Sequence, residues 1–194
     1  MKIALFVLIT LGIYGGVYGG ISAAQAQRIP SSLSRGLYAS NEGFEINPQS
    51  TNWIRSAPPA ELKNKVEVLF RIKDTTSKIQ PTFTVRIDKD TPYKTLKEYS
   101  TKWLKNYGQF GLEVLGHQYF KNEKDQQGFV IDIENSVSQK KLRQVIFFKN
   151  AKAVILTCMD QKESFKSSLK SCNDLIKTFA WNESILSNPE TLSK

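Results

Sequence analysis

Histidine and cysteine are scarce in this chain of 194 residues: His117 is the only histidine, and Cys158 and Cys172 are the only cysteines. The cysteines do not form a C-x-x-C pair, and one histidine in addition leaves a four-ligand zinc site short. No G-x-S-x-G motif and no glycine-rich phosphate loop is present. The chain therefore lacks the common sequence signatures of zinc enzymes, serine hydrolases and nucleotide-binding domains. We therefore predict a protein with no catalytic residues, no metal and no cofactor.

Two weaker chemical arrangements stay open in the sequence. Cys158 and His117 would form a nucleophile–base pair only if the fold brought them together. Asp132 and Glu134 alternate along a predicted strand, so their carboxylates share one face and could suit a hard cation. A structural or surface role explains the histidine more simply, and a solvated strand explains the carboxylate pair.

Long apolar runs are absent except at the N-terminus. There, Lys2 precedes the apolar stretch 3–11, glycines dilute the stretch 12–20, and Ala24-Gln25-Ala26 supplies small residues. This order is typical of a secretory signal peptide that is cut after Ala26, whereas a membrane anchor needs ~20 apolar residues. We predict that residues 1–26 are a signal peptide. The remaining chain is then periplasmic or secreted, with no transmembrane segment after cleavage.

Acidic residues are outnumbered, with 18 Asp and Glu against 27 Lys and Arg and a net charge of +9. In a cytoplasmic protein this excess would point to nucleic acid. Export removes nucleic acid from the expected partners and leaves anionic head groups, cell-wall polymers and acidic proteins. The expected partner is therefore an envelope protein or an anionic envelope surface. The oligomeric state stays open.

The rest of the chain has the length of one domain. Residues 27–40 are rich in serine and predict a flexible lead-in, residues 41–181 a single domain, and residues 182–194 a polar tail. Seven strands are predicted from alternating or β-branched residues, in an order that favours hairpins. They span residues 43–48 (a short edge strand), 66–72, 82–87, 113–120, 128–135, 142–149 and 152–158. Trp53 falls in a predicted loop.

Two amphipathic helices are predicted. The first begins at Thr91-Pro92, ends near Gly108, and separates an aromatic face from a basic face that carries Lys94, Lys97, Lys102 and Lys105. The second spans about residues 161–179, with an apolar stripe and a basic stripe that carries Lys166, Lys170 and Lys177. We predict that both basic surfaces bind the partner, the first helix being the first choice.

The predicted strand 152–158 is apolar at successive positions, so both of its faces must be covered. The fold class is therefore α+β, a three-layer α/β/α sandwich around a mostly antiparallel sheet of about seven strands.

The opening Gly43-Phe44-x-Ile46-x-Pro48, followed by Trp53, and the closing Leu156-Thr157-Cys158 with Phe165 and Phe179 resemble the PsbP-like fold family. That group contains the extrinsic photosystem protein, the Ran-binding Mog proteins and many exported bacterial domains. The resemblance covers about residues 38–181 and implies a non-enzymatic binding or assembly protein. No binding residue of the family can be matched to this chain.

The cysteines have two readings in an exported chain, a disulfide or two small buried thiols. Oxidation is the default for a lone pair outside the cytoplasm, so we predict a Cys158–Cys172 disulfide. A helix packed flat on a sheet lies ~10 Å away, whereas bonded cysteines need Cα atoms within ~7 Å. The strand must therefore rise toward the helix, and we expect Cys158 to be its last residue.

Two functional hypotheses follow. The first is an exported binding or assembly module of the cell envelope that uses its basic helix faces. The alternative is a small-ligand or lipid-binding domain with a pocket between sheet and helix. Most aromatic residues fit core positions, but Trp53 and Trp181 lie outside the periodic patterns and are candidates for an exposed or pocket-lining role.

Overall fold

The structure, a computed structural model, describes residues 36–72 and 81–182. The predicted signal peptide, most of the predicted lead-in and nearly all of the predicted tail lie outside these residues. The described elements are β1 (Tyr38–Ser40), β2 (Phe44–Ile46), β3 (Trp53–Ser56), β4 (Val68–Ile72), β5 (Thr82–Asp88), α1 (Leu96–Asn106), a 3₁₀ helix (Tyr107–Phe110), β6 (Glu113–Lys121), β7 (Gln127–Asn135), β8 (Lys140–Lys149), β9 (Lys152–Gln161), α2 (Phe165–Lys177) and β10 (Ala180–Trp181). Among them, no helix has the length and apolar character needed to cross a membrane.

The main sheet has seven strands in the order β3-β4-β5-β9-β8-β7-β6, and every neighbouring pair is antiparallel. The predicted hairpins between β6 and β7 and between β8 and β9 are confirmed. Asn150 and Ala151, which connect β8 to β9, both have positive φ values of 51° and 57°. This is the geometry of a tight hairpin turn whose twist matches that of the strands.

Strand β9 is buried on both faces, as predicted. Ala153 and Ile155 pack in the cluster under α1, whereas Val154, Leu156 and Cys158 pack in the cluster under α2. One helix therefore covers each face of the main sheet. The α+β, three-layer architecture is confirmed.

The main sheet has seven strands, as predicted, but one of these strands is not the one that was predicted. The stretch 43–48 contains β2, which is the central strand of a separate sheet, β1-β2-β10, and not an edge strand. Its place in the main sheet is taken by β3, in a stretch that was predicted to be a loop. Tyr38–Ser40 form β1, so strand structure begins within the stretch predicted as lead-in. The pairing of β2 with β10 joins residues far apart in sequence, which hairpin patterns do not report. β1 and β3 are strands of three and four residues, too short to show a clear alternation.

Both helices begin later than predicted. α1 is capped by Thr95, whose hydroxyl accepts a hydrogen bond from the Glu98 backbone N–H at 3.1 Å. The Glu98 carboxylate accepts from the Lys94 backbone N–H at 2.8 Å. This reciprocal arrangement, close to a capping box, fixes the start of the helix at residue 96 and outweighs the signal of Thr91-Pro92. α2 begins at Phe165 because β9 continues to Gln161.

Candidate binding surface on the first helix

The inner side of α1 is an aromatic surface fixed to the sheet. Tyr99 and Trp103 are buried, and Tyr107 follows them in the 3₁₀ helix. The Tyr99 hydroxyl donates to the Asp88 carboxylate, and the Tyr107 hydroxyl donates to Gln144 Oε1 at 2.6 Å. Burial raises the pKa of Tyr99, and the Asp88 carboxylate raises it further. The hydroxyl therefore stays protonated, and the helix is held in one orientation.

The α1 lysine face comprises Lys97, Lys102 and Lys105 on the outer side of α1, together with Lys94. Lys94 was predicted to lie on the helix, but it lies just before the helix cap Thr95. All four residues are exposed. None of them takes part in the ion pairs found among the described residues. The Lys102 ammonium lies 5.4 Å from the ring centroid of Tyr93 and 5.2 Å from that of Trp103. Cation–π contacts of this kind hold a charge in place without neutralising it.

The α2 lysine stripe, Lys166, Lys170 and Lys177, is also exposed but differs in its pairing. Lys170 Nζ lies 3.1 Å from Asp174 Oδ2, and Lys177 Nζ lies 3.7 Å from Glu123 Oε1. The carboxylates partly neutralise this stripe, so its outward field is weaker than that of the α1 lysine face.

The predicted disulfide is present: Cys158 and Cys172 are bonded, with Cα atoms 6.1 Å apart and neither side chain exposed. Cys158 is not the last residue of its strand, as was expected. β9 continues for three residues, which places Cys158 ~10 Å before the strand end. α2 starts seven residues before Cys172, again ~10 Å. The later strand end and the later helix start bring the two cysteines to the same level.

The two weaker chemical arrangements are not formed. His117 pairs with Ile131, on the face of the sheet under α1, whereas Cys158 lies on the face under α2 and is already bonded. The Asp132 carboxylate receives two hydrogen bonds from Arg143, at 2.8 and 2.7 Å. The first arrangement depended on the fold bringing two distant residues together. The second was inferred from alternation along one strand, which does not report what lies across the sheet.

Glu134, the other member of the carboxylate pair, contacts two lysines. Its carboxylate accepts from Lys162, and Lys141 Nζ lies 3.4 Å away. The Lys162 hydrogen bond, followed by Lys141, lowers the pKa of Glu134. Among the described residues, no group of three or more potential metal ligands is assembled.

Trp53 is wholly buried, which corrects the prediction of an exposed or pocket-lining role. Its indole N–H donates to the backbone carbonyl of Ser171 at 2.9 Å and ties β3 to α2. Trp181 lies in β10 and is packed against the buried core. Neither position shows helical or strand periodicity in the sequence, because each belongs to a strand of four residues or fewer.

Two open depressions were found on the described surface. One, of about 250 Å³, is lined by residues of β1, β3 and β4, such as Tyr38, and by residues next to these strands, such as Glu67. The other follows the outer side of α1 and is lined by Tyr93, Thr95, Glu98, Thr101 and three of the lysines. Between the sheet and α2, the side chains of Cys172 and Leu175 are fully buried. Neither depression lies between the sheet and a helix.

No protein-family model matches the sequence, and a comparison with curated proteins finds no match. Solved structures do match. The solution structure of cyanobacterial PsbP, CyanoP, from Synechocystis sp. PCC 6803 superposes with a TM-score of 0.52 at 16% identity. The match covers 88% of this chain and 98% of that one. The fold is PsbP-like.

A second solved structure that matches this chain is that of a protein of unknown function, PA94, from Pseudomonas aeruginosa. It has a TM-score of 0.50 at 14% identity, and the match covers 73% of this chain and 93% of that one. At these identities the comparison establishes the fold alone. The part of the resemblance that concerned the Mog proteins has no counterpart in these matches.

Proposed function

We propose that this protein is an exported, non-enzymatic binding module of the cell envelope, and that it meets an anionic partner through the α1 lysine face. The observation that carries the proposal is the contrast in charge pairing. The four lysines of the α1 lysine face have no carboxylate within ion-pair distance among the described residues, whereas two of the three lysines of α2 do.

The contacts that fix α1 to the sheet strengthen the proposal. The helix is fixed to the sheet by the Tyr99–Asp88 and Tyr107–Gln144 hydrogen bonds. A surface that does not reorganise loses less conformational entropy when it binds. Three cations on a fixed helix, with a fourth just before its start, therefore suit a partner with closely spaced negative charges. The signal peptide predicted from residues 1–26 provides the route to the envelope.

The test is sedimentation of the purified protein with vesicles of anionic phospholipid, with zwitterionic vesicles, and with peptidoglycan. We expect retention on an anionic material that weakens as salt is added, because exposed charges are screened over ~8 Å at physiological ionic strength. Equal binding to zwitterionic and anionic vesicles would contradict the proposal.

A charge-matched pair of variants separates a specific surface from net charge. The test variant is Lys94→Glu, Lys97→Glu, Lys105→Glu, which leaves the Lys102–aromatic contacts intact. The control is Lys166→Glu, Lys170→Glu, Lys177→Glu, which has the same net charge. At ~1 kcal/mol per lysine, the test variant should bind roughly 100-fold more weakly than the wild type. Equal losses in both variants would show that only net charge matters, and no loss in either would leave the α1 lysine face without a role.

The alternative, a small-ligand or lipid-binding domain, gains no support from the two depressions described above. Both of them are open to solvent, and the layer under α2 is filled by side chains.

A further inference from the structure

The two edges of the main sheet are very different. The β3 edge has four residues and is followed by Pro58 and Pro59. The β6 edge has nine residues, and none of the described residues pairs with its outer side. Natural proteins usually protect a long edge by shortening it, covering it, or placing proline or lysine within it. β6 carries no proline, and no lysine or acidic residue between its two ends.

The open edge also exposes apolar side chains. Leu115 is 47% exposed and Tyr119 is 45% exposed, among the few large apolar residues that are exposed in the described structure. A β-bulge between Val114 and Gly116 leaves Leu115 without a partner on β7. Bulges at edges often redirect a side chain. The edge therefore presents unpaired backbone groups together with apolar surface.

The sequence of β6 is complementary to itself when it runs antiparallel. If His117 lies opposite His117 of a second copy, Leu115 lies opposite the second copy's Tyr119 on both sides of the centre. In the same register, Glu113 lies opposite the second copy's Lys121 at each end of the ladder. Aliphatic–aromatic and opposite-charge pairs are favourable cross-strand neighbours. Within the described part of a single chain, Lys121 pairs with Asp125, and at 63% and 80% side-chain exposure that pair contributes little.

We propose that two copies of this chain associate through β6, antiparallel about a two-fold axis at His117. The two seven-stranded sheets then form one continuous sheet. This inference goes beyond the proposed function and does not depend on it.

The register has a consequence for the α1 lysine face. Directly opposed residues of an antiparallel pair point to the same side of the sheet. His117 lies on the α1 side in both copies, so both α1 helices lie on the same side of the joined sheet. The dimer would present two α1 lysine faces in one direction, an arrangement that strengthens contact with an extended anionic surface.

The first test is the mass of the purified protein in solution, measured by light scattering over a range of concentrations. We expect the mass of two chains, and the mass of one chain on dilution. Leu115→Lys places a charge at the centre of each apolar pair and should yield a single-chain mass throughout. Val137→Lys is the matched control: Val137 is 87% exposed, lies in the turn after β7, and should leave the dimer unchanged. A single-chain mass at every concentration for the wild type would overturn the proposal, and so would a dimer unaffected by Leu115→Lys.

Cysteine cross-linking tests the register. In a His117→Cys variant the new thiol meets its own copy across the axis, within the ~7 Å between Cα atoms that a disulfide requires. In a Leu115→Cys variant the two thiols lie four positions out of register, ~13 Å apart. We expect an oxidised dimer only for the first variant. The native cysteines are bonded and buried and do not interfere. Cross-linking of both variants, or of neither, would overturn the register.

A charge exchange completes the test. Glu113→Lys would place two lysines opposite each other at each end of the ladder and should weaken the dimer. Adding Lys121→Glu restores opposite charges and should recover it. If the double variant dissociates as readily as the single one, Glu113 and Lys121 do not meet across the interface.

Discussion

The two faces of the main sheet are closed by different means. Under α2 the layer is sealed by covalent and fully buried contacts: the Cys158–Cys172 disulfide, the indole of Trp53, and the ring of Phe179 stacked 4.0 Å from that of Phe147. Under α1 the layer is held by aromatic residues with polar tips, such as Tyr99 and Tyr107. The difference indicates that the α2 side supplies much of the stability, whereas the α1 side carries the surface that we propose for binding.

The largest effect should come from the centre of the α2 side. Phe179→Ala removes a fully buried ring that contacts both Phe147 and Phe44, and should lower the free energy of unfolding by about 3–5 kcal/mol. On the α1 side, Tyr93→Ala removes a half-buried ring that contacts Tyr99, and should cost no more than about 1.5 kcal/mol. Urea denaturation measures both. Similar losses of unfolding free energy in the two variants would contradict the difference in stability between the two faces.

The second effect concerns the disulfide. Replacing both cysteines by alanine should lower the free energy of unfolding by about 3 kcal/mol, because the bond closes a loop of about fifteen residues in the unfolded chain. Mass spectrometry of the wild type should show a loss of two hydrogens. Since both cysteines are fully buried, we expect reductant to act only after unfolding. Alkylation of folded protein in mild reductant would show that the α2 side opens readily.

The third effect compares the starts of the two helices. Thr95→Ala removes the hydroxyl that caps α1 and should cost about 1 kcal/mol. Ser164 precedes α2 and makes no capping bond with its side chain, so Ser164→Ala should cost less. The disulfide and the Trp53–Ser171 hydrogen bond hold α2 instead. A larger loss for Ser164→Ala, measured by denaturation, would reverse this assignment.

The smallest expected effect is a dependence of the stability on pH in the acid range. The pKa of Glu134 is lowered from its ordinary value of 4.5, chiefly by Lys162. Its stabilising contribution is therefore complete above pH 4.5 and is lost as the pH falls through the lowered pKa. The wild type should exceed a Glu134→Gln variant in stability at neutral pH, and the difference should vanish in acid. Side-chain NMR titration of Glu134 gives the pKa directly, and a value at or above 4.5 would contradict the prediction.

The sequence predicted local features well where one period dominates. The strands β5 to β9 and the buried face of α1 follow from alternation and from a helical repeat, because such patterns reflect which side of an element meets the core. The sequence was misleading where a short strand depends on a distant partner. Trp53 was assigned to a loop because four residues of β3 show no periodicity, and the pairing with β4 decides its place.

The candidate site was predictable in part for the same reason. The exposure of Lys97, Lys102 and Lys105 follows from the helical repeat and is observed. Lys94 is also exposed, but it lies before the helix. The lack of ion pairs at these lysines among the described residues, and the pairing of Lys170 and Lys177, depend on which side chains the fold or one helical turn brings close. A helical repeat does not report those neighbours. The open β6 edge went unnoticed because strand order cannot be read from the strand itself.

By itself, the sequence determined the fold class and the burial of β9 on both faces, and it favoured a disulfide between the two cysteines over two separate thiols. These features depend on residue type and on spacing along the chain, which are written in the sequence. Tertiary structure alone decided that β2 leaves the main sheet, that the α1 and α2 lysines differ in pairing, and that β6 is an open edge. Each of these depends on which residues meet across space, and a linear pattern does not contain that information.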